Sequence, residues 1–268
     1  MSVLETVAAE TALAAAQSGG DNMNWHGFLN PHDYVAMSFW VISIAMVAST
    51  VFFLMESVYL HPHWKTSMNV GALVTMIAGV HYFYMREFWI TLGQSPIVYR
   101  YIDWSLTVPL QMVEFYLILS AAKPDISKMI FWRLLLGTVV MIAFGYVGEE
   151  GILNAWVGFA VGMAGWGFIL FEIFIGEASA VARKDVGVYV QTAFTAMRFI
   201  VSVGWSVYPL GYFFGYLTGA VAEAPLNLLY NLADFVNKIA FCLVIWNVAR
   251  SETQAKLRGN DDLSRPLV

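Results

Sequence analysis

Cysteine, charge and basic clusters are scarce in this 268-residue chain. The one cysteine, Cys242, lies inside an apolar run without a partner, which excludes a disulfide scaffold. Only 12% of the residues are charged, against roughly 25% in an average globular domain. Lys and Arg number 14 against 19 Asp and Glu, a net charge of −5 with no basic stripe, so a nucleic-acid partner is not expected. No metal site is expected either. What fills the chain is apolar: 59% of it is hydrophobic and 16% aromatic, and the mean hydropathy is +0.64. A water-soluble domain cannot hide that much apolar surface, so the apolar runs must face lipid.

A bilayer-crossing helix needs about 20 mainly apolar residues. Seven such stretches are present, approximately Tyr34 to Tyr59, Ser67 to Leu92, Ile97 to Ala121, Ser127 to Val147, Ile152 to Ile175, Val186 to Leu217 and Pro225 to Val248. The connections are short and rich in turn residues, for example Lys123-Pro124-Asp125 and Gly148-Glu149-Glu150-Gly151. Links this short make consecutive helices antiparallel neighbours. The predicted architecture is all-α: a seven-transmembrane-helix bundle over 34–250, a polar N-terminal arm over 1–33 and a solvated tail over 251–268. Glu5 and Glu10 interrupt the one leader-like stretch, so no cleaved signal is expected.

Orientation follows from the basic residues near the span ends. Lys65, Lys123, Lys128, Arg183, Lys184, Arg250, Lys256 and Arg258 share one side. Arg86 with Glu5, Glu10, Asp21, Glu149, Glu150 and Glu223 share the other. The basic side is expected to be cytoplasmic, with the N-terminus outside and the C-terminus inside.

Ionisable groups within a span are costly, and each is a functional hypothesis by default. The third span holds Asp103, Thr107 and Glu114. Asp103 and Thr107 lie one turn apart on one face; Glu114 returns to within about 20° of it, roughly 16 Å along the axis. Two carboxyls on one stripe suit a proton relay; the plainer alternative is one or two polar helix–helix contacts. In the seventh span Lys238 is the only mid-span lysine, with Asp234 one turn before it. A bare ammonium there must be ion-paired, neutral, or chemically consumed as in a Schiff base. Trp205, Tyr208 and Pro209 in the sixth span, with Trp104 beside Asp103, either line a flat apolar slot or pack ordinarily. Pro209 also frees a backbone carbonyl and bends its helix.

Taken together, these residues carry a specific resemblance. Seven spans, Arg100-Tyr101-Ile102-Asp103-Trp104 with Thr107, Pro109 and Glu114, Trp205 with Tyr208 and Pro209, and Asp234 four residues before Lys238 resemble the microbial (type I) rhodopsins. The likeness runs from Tyr34 to Arg250. His81 in Val80-His81-Tyr82-Phe83-Tyr84-Met85-Arg86, the run Tyr230 to Lys238, Gly-Glu-Glu-Gly at 148–151 and Phe171 to Glu177 narrow it to the proteorhodopsins. The resemblance implies that Lys238 binds all-trans retinal as a protonated Schiff base. Asp103 and Asp234 would be its counter-ion, with Arg100 below them on the extracellular side. Asp103 would also be the primary proton acceptor, Thr107 its polar neighbour, and Glu114 the cytoplasmic donor. Trp104, Gln111, Trp205, Tyr208, Pro209 and Tyr82 would surround the cofactor. Asp103, Thr107 and Glu114 match the pattern of outward proton pumps. The Asn-Asp-Gln of sodium pumps does not match, nor do chloride pumps, which lack the acceptor carboxylate.

Elementary electrostatics agrees with these roles. A cation in a low-dielectric pocket holds a nearby carboxylate ionised until the geometry is broken. Glu114, among Met112, Val113, Phe115 and Leu117, should keep its proton until it is needed. His81 is expected to hydrogen-bond Asp103 and tune its titration. Gln111, about two turns beyond Asp103, occupies the position that separates green-absorbing (Leu) from blue-absorbing (Gln) proteorhodopsins, so blue absorption is expected. Ser105 departs from the usual apolar residue and is expected to touch a neighbouring helix or bind back to a carbonyl. Phe159 fills the place where some rhodopsins open to a carotenoid antenna, so none is expected. Trp40 matches a tryptophan that meets the histidine of a neighbouring protomer, which implies a ring-shaped homo-oligomer, pentamer or hexamer, with Trp40 and His81 at the interface.

The function so implied is a light-driven outward proton pump of the bacterial inner membrane, a transporter rather than an enzyme. The alternatives are a blue-light sensory rhodopsin of the same fold, which has no need of Glu114, and a chromophore-free solute transporter, against which Lys238 argues.

Overall fold

The structure, a computed structural model, describes residues 28–259, and among them there is helix and no strand. The expectations for Glu5, Glu10, Asp21, a cleaved leader and the last nine residues lie outside these. Five spans are α1 (Tyr34–Ser57), α2 (Pro62–Leu92), α3 (Ile97–Ala122), α4 (Met129–Glu149) and α5 (Ala155–Phe174). A short helix, α6 (Glu177–Lys184), leads to the sixth span, which is α7 (Val188–Phe199), a π turn (Ile200–Gly204), α8 (Val207–Tyr212) and a second π turn (Phe213–Leu217). The seventh span is α9 (Glu223–Leu257). Among the described residues six helices are long and apolar enough to cross a membrane; the sixth span reaches that length only as the sum of its pieces.

Local chemistry sets these boundaries. Asp33 caps α1 by accepting from the Ala36 amide at 2.8 Å, and it also accepts from Trp89 Nε1 at 3.1 Å, pinning the start of α1 to the end of α2. Asn154 caps α5 through the amides of Trp156 and Val157. Pro209 has no N–H to give the Trp205 carbonyl; the Tyr208 amide takes that acceptor instead at 3.1 Å. The widened turns on either side show as Trp205 N to Ile200 O and Thr218 N to Phe213 O, each 3.0 Å and five residues apart. The bend expected at Pro209 is therefore spread over two π turns.

Successive helices pack as neighbours, and α9 closes the bundle against α1, α2 and α7. The α4–α5 contact is close enough for backbones to touch, since a Cβ on Gly165 would lie 2.8 Å from the Met141 amide nitrogen. Large apolar side chains such as Val41, Ile44, Leu73, Leu136 and Leu232 are turned outward, as a lipid-facing surface requires. The alternation of spans collects Lys65, Lys123, Lys128, Arg183, Lys184 and Arg250 at one end of the bundle. There Lys123 pairs with Asp185 at 3.1 Å.

One boundary needs correction. The stretch after Arg250, expected to be a solvated tail, continues α9 to Leu257, with Glu252 and Thr253 buried. Glu252 accepts from Trp64 Nε1 at 3.0 Å and pairs with Lys256 at 2.9 Å and His63 at 3.5 Å. Thr253 Oγ1 accepts from the His61 amide at 3.0 Å. Hydropathy falls there because the residues are polar, but the start of α2 supplies their partners. For the same reason α2 begins at Pro62, well before the apolar run from Ser67.

Candidate functional site

The buried polar stripe of α3 faces that of α9 inside the bundle. Asp103, Thr107, Gln111 and Glu114 are all buried, as are Asp234 and Lys238. Lys238 Nζ donates to Asp103 Oδ2 and to Asp234 Oδ2 at 3.0 Å. The ammonium is thus held between one carboxylate from each helix. Breaking such a buried arrangement by removing a partner is strongly unfavourable.

The two carboxylates differ in what else they hold. Asp234 accepts from Tyr208 Oη at 2.6 Å, from Tyr82 Oη at 2.8 Å and from Trp104 Nε1 at 3.3 Å. Donors from α2, α3 and α8 therefore converge on it, in addition to Lys238. Asp103 has Lys238 alone, and its Oδ1 is buried without a hydrogen-bond partner. A proton arriving at Asp103 Oδ1 displaces nothing; at Asp234 it would have to displace a donor.

The flanking residues fall into place around this pair, with two corrections. Thr107 Oγ1 donates to the Asp103 carbonyl at 2.9 Å, so it steadies the backbone beneath the carboxylate. Ser105 binds back to the Tyr101 carbonyl at 2.6 Å. His81 does not hydrogen-bond Asp103: its Nδ1 pairs with the Ile77 carbonyl of its own helix at 2.9 Å, the local acceptor one turn back. Tyr82, expected beside the cofactor, is instead a donor to Asp234, fully buried against Phe39. Arg100 makes no ion pair with either carboxylate. Its Nη2 donates to Asn227 Oδ1 at 2.9 Å and Asn231 Oδ1 at 3.0 Å, and its guanidinium lies 5.3 Å from the Tyr230 ring centroid.

Glu114 stands apart from this cluster. It is buried, both carboxyl oxygens lack a hydrogen-bond partner, and its polar neighbours are Ser67 and Cys242.

An apolar cavity runs from Lys238 and Asp234 between α3, α4, α5 and the sixth span. Trp104, Gln111, Trp205, Tyr208 and Pro209 line it as expected, and Phe159 occupies its α5 wall against Tyr212. Met141, Gly145, Gly162 and Trp166 complete it. A Cβ on Gly145 would lie 2.9 Å from Tyr101 Oη, so only glycine leaves that wall open. Gln111 Nε2 reaches the Asn237 carbonyl at 3.5 Å, the limit of a hydrogen bond.

Sequence reasoning assigned no role to Asn227, Asn231 or Glu149. The asparagines had a legible signal: 227, 231, 234 and 238 are spaced four, three and four apart on one helix face.

A model of bacteriorhodopsin-like proteins matches residues 33–252. The chain belongs to this family. It is 47% identical over 254 residues to a green-light absorbing proteorhodopsin of Gamma-proteobacterium EBAC31A08, covering 94% of this chain and 99% of that one. It is 48% identical over 240 residues to a blue-light absorbing proteorhodopsin of Gamma-proteobacterium Hot 75m4, covering 89% and 92%. The crystal structure of blue light-absorbing proteorhodopsin from Med12 superposes with a TM-score of 0.72 at 45% identity, covering 82% of this chain and 99% of that one. As a bacteriorhodopsin-like protein the chain is a multi-pass membrane protein, and the family implies retinal. The cavity suits that group: aromatic and apolar walls, glycines where a Cβ would intrude, and one buried amine.

Proposed function

We propose that this protein is a light-driven outward proton pump, with all-trans retinal on Lys238 as a protonated Schiff base. The observation that carries this reading is the inequality of the two carboxylates at Lys238. Asp103 has an oxygen to spare, whereas Asp234 is engaged by Tyr82, Trp104 and Tyr208. When bound, retinal supplies absorption of visible light and an isomerisation that disturbs the resting contacts of the nitrogen.

The chain's own residues then divide the work. Asp103 Oδ1 accepts a proton from Lys238 Nζ. Asp234, fixed by its donors, keeps a negative charge beside the nitrogen through the transfer. Glu114 supplies the replacement proton from the other side. At about 16 Å along the helix from Asp103 it needs a transient chain of water to do so. Arg100, anchored to Asn227 and Asn231, stands on the exit side of Asp103. Thr107 holds the Asp103 backbone in place.

The charge asymmetry between the bundle's ends supports a cytoplasmic C-terminus and an outward direction, in a bacterial inner membrane. Gln111 on the cavity wall supports blue absorption. Trp40 and His81 lie on neighbouring helices of the bundle surface, with Trp40 against Phe83 and under Arg86. Their placement suits a homo-oligomer contact. Phe159 in the α5 wall argues against an antenna carotenoid.

The deciding experiment is illumination of a suspension of retinal-supplied cells, with and without a protonophore. The pump acidifies the medium and the protonophore abolishes the signal; Lys238→Ala cells are colourless and silent. Coloured cells that produce no acidification would transfer the assignment to a blue-light sensor. A parent protein that stays colourless would remove the retinal reading altogether.

A further inference from the structure

The sixth span carries one charged side chain within its apolar run, Arg198. It is partly exposed, and its guanidinium lies 5.1 Å from the ring centroid of Phe174 at the end of α5. Its donors meet no acceptor among the described residues. The acids of the adjoining turn are already taken. Arg133 of α4 pairs with Glu172 at 3.4 Å and with Glu177, and Glu172 also accepts from the Ala178 amide at 3.0 Å. An arginine in a membrane span ordinarily turns inward to a partner, so one left open on the outer face calls for an anion from outside the bundle.

Two separate counts give its depth. α5 has 20 residues, about 30 Å, which matches the hydrocarbon core of a bilayer. Its last residue, Phe174, therefore marks the boundary at the basic end of the bundle. Arg198 stands 19 residues before Leu217, where the sixth span ends, or about 28 Å. Both counts put the guanidinium at the edge of the hydrocarbon, where lipid phosphates begin. Thr195, Phe199 and Ser202 share its helix face. Phe199, Val203 and, across the seam, Phe171 are turned outward one turn or so deeper. None of these is acidic, and a two-fold contact of this face with itself would set arginine against arginine.

We propose that Arg198 binds the phosphate of one bilayer phospholipid in the seam between α5 and the sixth span. The planar guanidinium fork meets phosphate oxygens in pairs, and Phe174 holds it in place from one side. The acyl chains run down over Phe199, Val203 and Phe171. An anionic headgroup is favoured over a zwitterionic one, since the site brings one positive charge and no negative one. The bound lipid supplies the partner that the protein withholds from this arginine, and it bridges two helices that line the cavity. The site is independent of the pump reading.

The test titrates the delipidated full chain in neutral detergent with phosphatidylglycerol and counts bound lipid by native mass spectrometry. Arg198→Met should weaken the tightest site about fivefold, the weight of one basic side chain at an anionic surface. Arg198→Lys, which keeps the charge and loses the fork, should fall between. Lys128→Met, which removes an exposed charge from the α3–α4 connection, should match the parent. Digalactosyl diacylglycerol, with the same chains and no phosphate, should bind parent and Arg198→Met alike. Phosphatidylglycerol with a diazirine near the head of one chain should label the stretch from Phe199 to Val203 in the parent and lose that label in Arg198→Met. Equal affinity in parent and Arg198→Met, an equal loss in Lys128→Met, or unmoved labelling overturns the site. A changed oligomer in Arg198→Met with unchanged lipid binding also overturns it and gives the arginine to a neighbouring copy. If Arg198→Met does not fold, Arg198→Lys decides by the same affinity and label.

Discussion

The Tyr82 hydroxyl donates to Asp234 Oδ2 at 2.8 Å, joining the second span to its neighbour the seventh at the buried amine. Tyr82 is fully buried, so the bond is shielded from water. Tyr82→Phe keeps the ring against Phe39 and removes one donor from a buried carboxylate. Loss of a hydrogen bond to a charged group costs about 1.5–3 kcal/mol. The variant should bleach thermally at a lower temperature than the parent, with its visible band displaced. Identical bleaching and absorption would show that the Tyr82–Asp234 bond contributes nothing to the site.

Asp103→Asn removes the carboxylate with the spare oxygen while leaving Asp234 and its donors intact. The absorption band should shift to the red, because positive charge is no longer favoured at the nitrogen, and outward transport should stop. Light-driven acidification at the parent rate would assign the acceptor role elsewhere.

Gln111→Leu replaces an amide dipole on the cavity wall with an alkyl group. Absorption should move toward green with pumping retained. An unmoved band in the purified variant would mean that the amide, held toward the Asn237 carbonyl, does not influence the chromophore.

Glu114→Gln keeps the shape of a side chain that has no hydrogen-bond partner to lose, so pigment formation and proton transfer to Asp103 should be unchanged. Return of the proton to Lys238 Nζ should slow by orders of magnitude, in the range expected for loss of a general acid. It should also become proportional to bulk proton concentration, and added azide should restore it. Parent-like recovery at neutral and alkaline pH would remove Glu114 as donor and favour the sensor.

The His61 and His63 Nδ1 atoms lie 2.6 Å apart beside Glu252. Burial, then the nearby Lys256 ammonium, hold the His61 imidazole below its ordinary value. The folded state therefore prefers neutral His61. Its contribution is complete above the ordinary histidine pKa of about 6.5 and is lost as pH falls from there through the depressed value. Amide protection at the end of α9, taken relative to the intrinsic exchange rate at each pH, should fall between pH about 7.5 and about 5.5, and His61→Ala should flatten that dependence. Equal protection at both pH values would show that the histidines do not hold this end.

The spans and the principal site were legible because both obey helical arithmetic. Asp103, Thr107 and Glu114 repeat near one angle of α3, and Asp234 and Lys238 are one turn apart, so their shared faces followed from spacing. What spacing does not encode is which neighbour a polar atom chooses. His81 satisfies itself on Ile77, and Tyr82 turns to Asp234. Glu252 looked solvated because the partners that bury it, Trp64 and His63, lie nearly two hundred positions earlier. Glu149 was read as a loop charge, whereas it ends α4 and lines the cavity with Tyr101 and Tyr230.

The seventh span is a single rod of 35 residues, about 52 Å long, with neither a proline after its first turn nor a π turn. The asparagines holding Arg100, the carboxylate Asp234, the amine Lys238 and the buried Glu252 are thus fixed to one lever. Glu252 lies 14 residues beyond Lys238, about 21 Å along the axis, so a tilt of about 5° pivoting at Lys238 swings it by about 2 Å. That displacement parts Trp64 Nε1 from a carboxylate it meets at 3.0 Å. A small rocking at the amine thereby arrives at the opposite end of the molecule as an unlatching.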